Sequence, residues 1–322
     1  MSSIVSQKVP KAFVLRRLHS LLGLWLVVYL FEHLITNSQA ALWLGEKGEG
    51  FIHMVNFLQS LPYLHVIEII LLGVPIGFHG YLGIKYALTS KANSHKTDGS
   101  TPDLKKYGRN HAYSWQRITS WILVFGILFH VGQMRFYLKP KEVIYEGNKF
   151  YLVPLSFDEK LYHLGPRLKV QFWGLQEIEN IPQNPSQQDL SSFVKIASFK
   201  KGKQKEIKEE VQLQNYHQWI HTLKSFSIKP NEVVAACPNP GTAILLTTRD
   251  TFKSPWMGVF YTLFLFSAVF HAGNGFWSFL LSWGAILSLR CQKKWVNVSW
   301  ALTVFLAFLG LAAIWGSYWI NL

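Results

Sequence analysis

Five apolar stretches of near-spanning length constrain this chain more than anything else in its sequence: roughly 18–35, 64–86, 115–137, 256–289 and 296–320. A helix needs about 20 mostly apolar residues to cross a bilayer. In hydrocarbon every backbone N–H and C=O must be satisfied within the segment, so each stretch reads as a transmembrane helix. The fold class is therefore an all-α membrane protein, a bundle of five transmembrane helices. A long polar insert with β-like runs, 139–255, separates the third helix from the fourth. Three domains follow by residue number: 1–138 with helices 1–3, the insert 139–255, and 256–322 with helices 4–5. Many of the thirteen tryptophans stand near block ends (Trp115, Trp256, Trp295, Trp319), as in the aromatic belts of membrane interfaces. The N-terminus lacks an apolar core followed by a small-residue cleavage site, so no cleavable signal peptide is expected.

The net charge of +14 invites a nucleic-acid partner, but its distribution argues against one. Of the sixteen Lys and Arg outside the insert, fourteen fall on one side of the bundle, and only Lys47 and Arg135 on the other. By the positive-inside rule that side and the N-terminus are cytoplasmic, and the insert and C-terminus face outward. The expected location is a bacterial cytoplasmic (inner) membrane. Cys237 and Cys291 then lie on opposite sides and cannot pair within the chain.

Within the insert, 143–145 and 150–153 flank Glu146-Gly147-Asn148-Lys149, which predicts a hairpin. The Pro/Gln/Asn/Ser-rich stretch 181–192 reads as a loop, and the charged stretch 200–210 as a solvated element. His217 and His221, four apart on a helix, lack a third ligand nearby and read as a surface pair. No catalytic pattern stands out there.

The spans carry the chemistry. His33 lies fifteen residues past Leu18 and His130 fifteen past Trp115, on spans running inside to outside. His79 lies fifteen past Leu64 and His271 fifteen past Trp256, on spans running the other way. Fifteen helical residues cover about 22 Å, against a hydrocarbon core of about 30 Å. His33 and His130 therefore share an outer level, and His79 and His271 an inner one. A lone histidine in a bundle more often hydrogen-bonds to a neighbouring helix. Four of them, one per helix and paired by depth, point to two haem irons, each held by imidazoles from both sides. The glycines around His271 (Gly273, Gly275) leave room for something flat against the helix. With both axial positions filled, such haems carry electrons and do not bind oxygen. His53, His65, His95, His111 and His163 sit in connections or at interfaces and read as solvated. His19, beside Arg16 and Arg17 at the inner interface, is placed to meet a haem propionate, although snorkelling accounts for the arginines equally well.

The ordered motifs Arg16-Arg17-Leu18-His19-Ser20-Leu21-Leu22-Gly23, Glu32-His33-Leu34, Ser60-Leu61-Pro62, Phe78-His79, Gln116-Arg117-Ile118-Thr119, Phe129-His130-Val131 and Phe270-His271…Asn274-Gly275…Trp277-Ser278-Phe279 resemble the cytochrome b subunit of succinate dehydrogenase (succinate:quinone oxidoreductase). The resemblance is to its single-polypeptide, five-helix, two-haem membrane anchor, and it excludes the insert. It implies haem b ligation by His79 with His271 (inner iron) and by His33 with His130 (outer iron). His19, Ser20, Arg17, Gln116 and Arg117 are candidate propionate contacts, and Glu32 and Glu68 candidate quinone-site carboxyls. It further implies a flavoprotein subunit with FAD and an iron–sulfur subunit on the cytoplasmic face. In such a complex this chain is a non-catalytic, quinone-reacting subunit that carries electrons to a membrane quinone, usually menaquinone, in service of the tricarboxylic acid cycle. The alternatives are the cytochrome b subunit of another respiratory dehydrogenase and a haem-free proton-relay transporter. A b-type absorption band after dithionite reduction separates cytochrome from transporter.

Overall fold

The computed structural model describes residues 9–42, 48–90, 94, 103–145, 148–182 and 203–319. The Glu146-Gly147 turn, most of the 181–192 stretch and part of the charged stretch 200–210 lie outside the described residues, as do Lys8, Lys47, Lys91, His95 and Lys96. In chain order the elements are α1 (Lys11–Ser38), α2 (Glu49–Gln59), α3 (Leu64–Thr89), α4 (Gly108–Tyr137), β1 (Lys141–Tyr145), β2 (Asn148–Ser156), α5 (Leu161–Leu168), β3 (Gln171–Gly174), α6 (Leu175–Glu179), α7 (Lys203–Lys224), β4 (Glu232–Cys237), α8 (Pro240–Lys253), α9 (Pro255–Ser282) and α10 (Leu289–Trp319). Five of them, α1, α3, α4, α9 and α10, are long and apolar enough to cross a membrane. The chain is a multi-pass membrane protein.

The described residues gather in two compact units, one within Met1–Gln39, Ser60–Val131 and Trp256–Trp315, the other within Ala40–Gln59, Gly132–Pro255 and Gly316–Leu322. The first is the helical bundle. Its helices turn large apolar side chains outward, among them Phe31, Ile69, Phe125, Leu263 and Phe308. Water would penalise such a surface, whereas lipid accepts it. α3 is not regular throughout. Ile69–Gly73 forms a π-helical turn, and Pro75 follows directly. Proline has no N–H, so the carbonyl of Leu71, four residues earlier, loses its helical donor. The Trp25 indole of α1 supplies that donor, with Nε1 2.7 Å from the Leu71 oxygen. One cross-helix bond thus satisfies the backbone group that the proline orphans.

The second unit is α+β. Its sheet has the order β1-β2-β4-β3, with every pairing antiparallel. β4 reads Glu-Val-Val-Ala-Ala-Cys, with no polar residue after the first, because it is a central strand covered on both faces. Successive side chains point to opposite faces. Val233, Ala235 and Cys237 join one core with Phe51 and Val55 of α2, Leu161 of α5 and Leu245 and Leu246 of α8. Val234 and Ala236 join the other, with Val143, Leu152 and the α7 residues Trp219 and Leu223. Among its described residues the insert carries as many helices as strands, four of each, and its unit also takes in α2 and the C-terminal end of α10. Asn56 of α2 accepts from Gly241 N at 2.8 Å and donates to Asn239, the residue that caps α8 through Thr242 N. Both cysteines are free, and burial pushes the Cys237 thiol well up from its ordinary value.

A buried ion pair ties this unit together. Arg249, only 1% exposed, donates two 2.7 Å bonds to the Asp158 carboxylate, and Lys253 adds a third contact at 3.3 Å. The Tyr318 ring lies 4.8 Å from the same guanidinium. Burial works against the Asp158 charge, but the bonds from Arg249 outweigh it and hold the carboxyl below its usual range.

Candidate functional site

The four span histidines meet in two couples, both inside the helical bundle. His79 of α3 faces His271 of α9, with ring centres 6.3 Å apart and planes at 80°. His33 of α1 faces His130 of α4 at 5.8 Å and 85°. Their separation can be read on three helices: Gly23 to His33 on α1, Thr119 to His130 on α4, and Tyr261 to His271 on α9. Each interval is ten or eleven residues, which at 1.5 Å per residue is about 15–17 Å.

Each imidazole is held by its Nδ1. His79 Nδ1 lies 3.0 Å from the backbone oxygen of His19. A carbonyl only accepts, so the proton sits on Nδ1 and Nε2 is left with its lone pair. Gly23 lets the ring come this close to α1, since a side chain there would stand 2.8 Å from His79 Cε1. The His19 ring stacks on His79 at 4.0 Å with planes 7° apart, and its own Nδ1 is buried with no partner among the described residues. His271 Nδ1 is 3.5 Å from Thr119 Oγ1, whose hydrogen goes to the Trp115 oxygen at 2.8 Å. That hydroxyl thus offers a lone pair to the imidazole. Gln116 Nε2 donates to the His271 oxygen at 3.1 Å, and Asn274 Nδ2 donates to Gln116 Oε1 at 2.9 Å, which locks α4 to α9 at this level.

At the other level His130 Nδ1 lies 3.3 Å from the Tyr261 hydroxyl. His33 Nδ1 is 3.5 Å from the Asn37 amide nitrogen, which donates at 2.7 Å to the His33 carbonyl. Gly126 makes room for Phe264, whose ring lies against those of both His130 and Tyr261.

The remaining sequence candidates divide by role. His19, Ser20, Arg17, Gln116 and Arg117 stand on α1 and α4 toward the His79/His271 end, and each has a protein partner. Ser20 Oγ meets Ser282 Oγ at 3.1 Å, and the Arg17 guanidinium lies over the Phe13 and Trp283 rings. Arg117 donates to the Ala87 and Ser90 carbonyls at 3.4 and 3.2 Å, capping the end of α3. Glu32 accepts from Thr36 at 2.9 Å, and Glu68 faces His65 at 3.5 Å. His217 and His221 are exposed on α7. Sequence reading passed over Tyr261 and the role of Thr119, because no spacing links them to a histidine on another helix; it also passed over Asn37, which the four-residue spacing from His33 on α1 could have found.

The donor set was tested against a metal. Among the described residues no group of three or more His, Cys, Asp or Glu could hold a bare ion. Pairs suit a metal whose other ligands come from a macrocycle. Two imidazoles bound to one metal from opposite sides, at about 2.0–2.1 Å per bond, have ring centres roughly 6.4 Å apart. The observed 6.3 and 5.8 Å are close to that. Donation from Nδ1, as His79 makes to the His19 carbonyl, leaves Nε2 with its lone pair and is also the usual arrangement behind a metal-bound histidine. The residues fit haem.

No family model matches this chain, and no solved structure matches it. It is 32% identical over 126 residues to the succinate dehydrogenase cytochrome b558 subunit of Bacillus subtilis (strain 168). The similarity is to a cytochrome b. It covers 39% of this chain and 56% of that protein, so the chain spans little more than half the length of the curated relative it matches.

Proposed function

We propose that this chain is the membrane-anchor cytochrome b subunit of a bacterial succinate dehydrogenase or fumarate reductase. In this reading His79 and His271 hold one haem b, and His33 and His130 hold a second. The observation that carries it is the two facing imidazole couples about 16 Å apart along the helices, each ring steadied through Nδ1. Bound there, each haem would supply a one-electron carrier, held by the imidazoles of its couple. The chain's own work is to fix ring orientation, keep the His79 and His271 protons on Nδ1, and surround the couples with apolar side chains. Two such carriers at that spacing form a relay across the membrane.

The similarity to a succinate dehydrogenase subunit supports flavoprotein and iron–sulfur partners, docked on the basic face that also bears the N-terminus. In this reading the His79/His271 couple would hold the carrier nearer the cytoplasmic side and the His33/His130 couple the one nearer a quinone, for which menaquinone is the proposed acceptor. Glu32 and Glu68 are the proposed carboxyls that exchange protons with it. Electrons moving outward gain about 2.3 kcal/mol per charge per 100 mV of membrane potential. Succinate-dependent quinone reduction in sealed vesicles therefore slows when the potential is collapsed. An unchanged rate contradicts the outward path.

The direct test is the reduced-minus-oxidised spectrum of the purified complex. A b-type band at two haems per chain, with a flavoprotein and an iron–sulfur protein co-purifying, is the expected result. A preparation without a b-type band overturns the proposal.

A further inference from the structure

Of the four histidines, His130 is held in the least expected way. In a membrane helix the backbone carbonyls are already spent on the helix's own bonds, so a buried Nδ1–H has few acceptors to find. His79 takes a carbonyl of another helix, and His271 a threonine hydroxyl that backs onto its own helix. His130 instead faces a phenol. Tyr261 is 5% exposed, its oxygen is 3.3 Å from His130 Nδ1, and its ring stands 5.7 Å from the imidazole. Phe129, Phe260 and Phe264 stand against it at 6.4, 5.6 and 6.2 Å, so neither ring is free to swing away. A phenol this deep needs a hydrogen-bonding partner, and His130 is one.

Resting on the reading that His130 is a haem ligand, we infer that Tyr261 is a positioning residue that sets the electron-donating strength of His130, and so the potential of one haem only. The chemistry fixes the sign. With Nε2 on iron, a neutral imidazole carries its proton on Nδ1, so the phenol oxygen accepts. An accepted Nδ1–H bond makes the imidazole more basic and favours the oxidised metal. Removing the acceptor shifts the balance toward the reduced form. The other couple lies about ten helical residues away, roughly 15 Å, and has its own Nδ1 partners.

The test is Tyr261→Phe in the full complex, read by redox titration of the b-type bands and by the low-spin signals of the oxidised haems. Expected is an upward shift in the midpoint of one haem component, with the other unmoved and haem content unchanged. Phe260→Leu removes a packing ring and keeps the hydroxyl; it should leave both midpoints in place. His130→Ala separates the inference from its foundation. Loss of the Tyr261-sensitive component in that variant supports both, whereas full haem content defeats the ligand reading itself. With His130 verified as a ligand, the inference is overturned if Tyr261→Phe leaves both midpoints unmoved, shifts both alike, or expels haem from both couples. A Phe260→Leu shift equal to that of Tyr261→Phe also overturns it, because packing alone then explains the effect.

Discussion

The two histidine levels draw their imidazoles from different helix pairs, α3 with α9 and α1 with α4, and they are braced differently. At the His79/His271 level the shortest Nδ1 contact, 3.0 Å, is to main chain, the His19 ring stacks on top, and the Gln116–Asn274 pair grips the His271 backbone. At the His33/His130 level both Nδ1 partners are side chains, Asn37 and Tyr261, at 3.5 and 3.3 Å. A main-chain partner cannot be substituted away, while a side-chain partner can. The His79 ring is thus held by helix approach, and the second level by residue choice. That difference says where each should break.

The largest effect should come from the helix approach itself. Gly23→Leu places a side chain against the His79 ring, where even a Cβ would sit 2.8 Å from Cε1. It should cost the complex the haem of that level and spare the other, giving half the haem per chain and one surviving spectral component. Equal loss of both components would erase the distinction between levels. Next is a control on the second unit. Arg249→Met leaves the largely buried Asp158 carboxylate with Lys253 and the Lys160 backbone N–H, and breaking such a pair costs about 3–5 kcal/mol. Limited proteolysis should cut 132–255 faster while both haem components persist.

The same pair has a pH signature. The Asp158 carboxyl is held below its ordinary value when folded, so its contribution is complete above the unfolded value, about 3.9, and fades as pH falls below it. The proteolytic difference between wild type and Arg249→Met should therefore shrink below about pH 4. A difference independent of pH would remove the ion pair from the account. The smallest effect is Asn274→Ala, which removes one hydrogen bond worth about 1 kcal/mol. It should broaden the oxidised-haem signal of the His79/His271 level without loss of haem, and Asn37→Ala should do likewise at the other level only.

How far all this could be read beforehand depended on the membrane. Within lipid a helix must satisfy its own backbone, so position along a span converts to depth, and the five spans and the levels of His33, His79, His130 and His271 could be counted. Nothing equivalent reaches across helices. Tyr261 sits ten residues from His271, on the same helix, but serves His130 on another, with Phe264 packed beside Gly126 against both rings. The Trp25 bond to Leu71 was equally silent, although Pro75 announced that some carbonyl would need a donor. In the second unit the Val-Val-Ala-Ala run of β4 carries no alternation, because both faces are covered, and that is where pattern reading loses strands. The joining of α2 and the end of α10 to the insert rests on contacts such as Asn56 with Gly241 and Tyr318 with Arg249, far apart in the chain.

The most direct test of the central claim is the haem count of the purified chain and two single variants, His271→Ala and His33→Ala. Two haems in the wild type and one in each variant, with a different spectral component missing each time, is the predicted result. A full complement in either variant would contradict it.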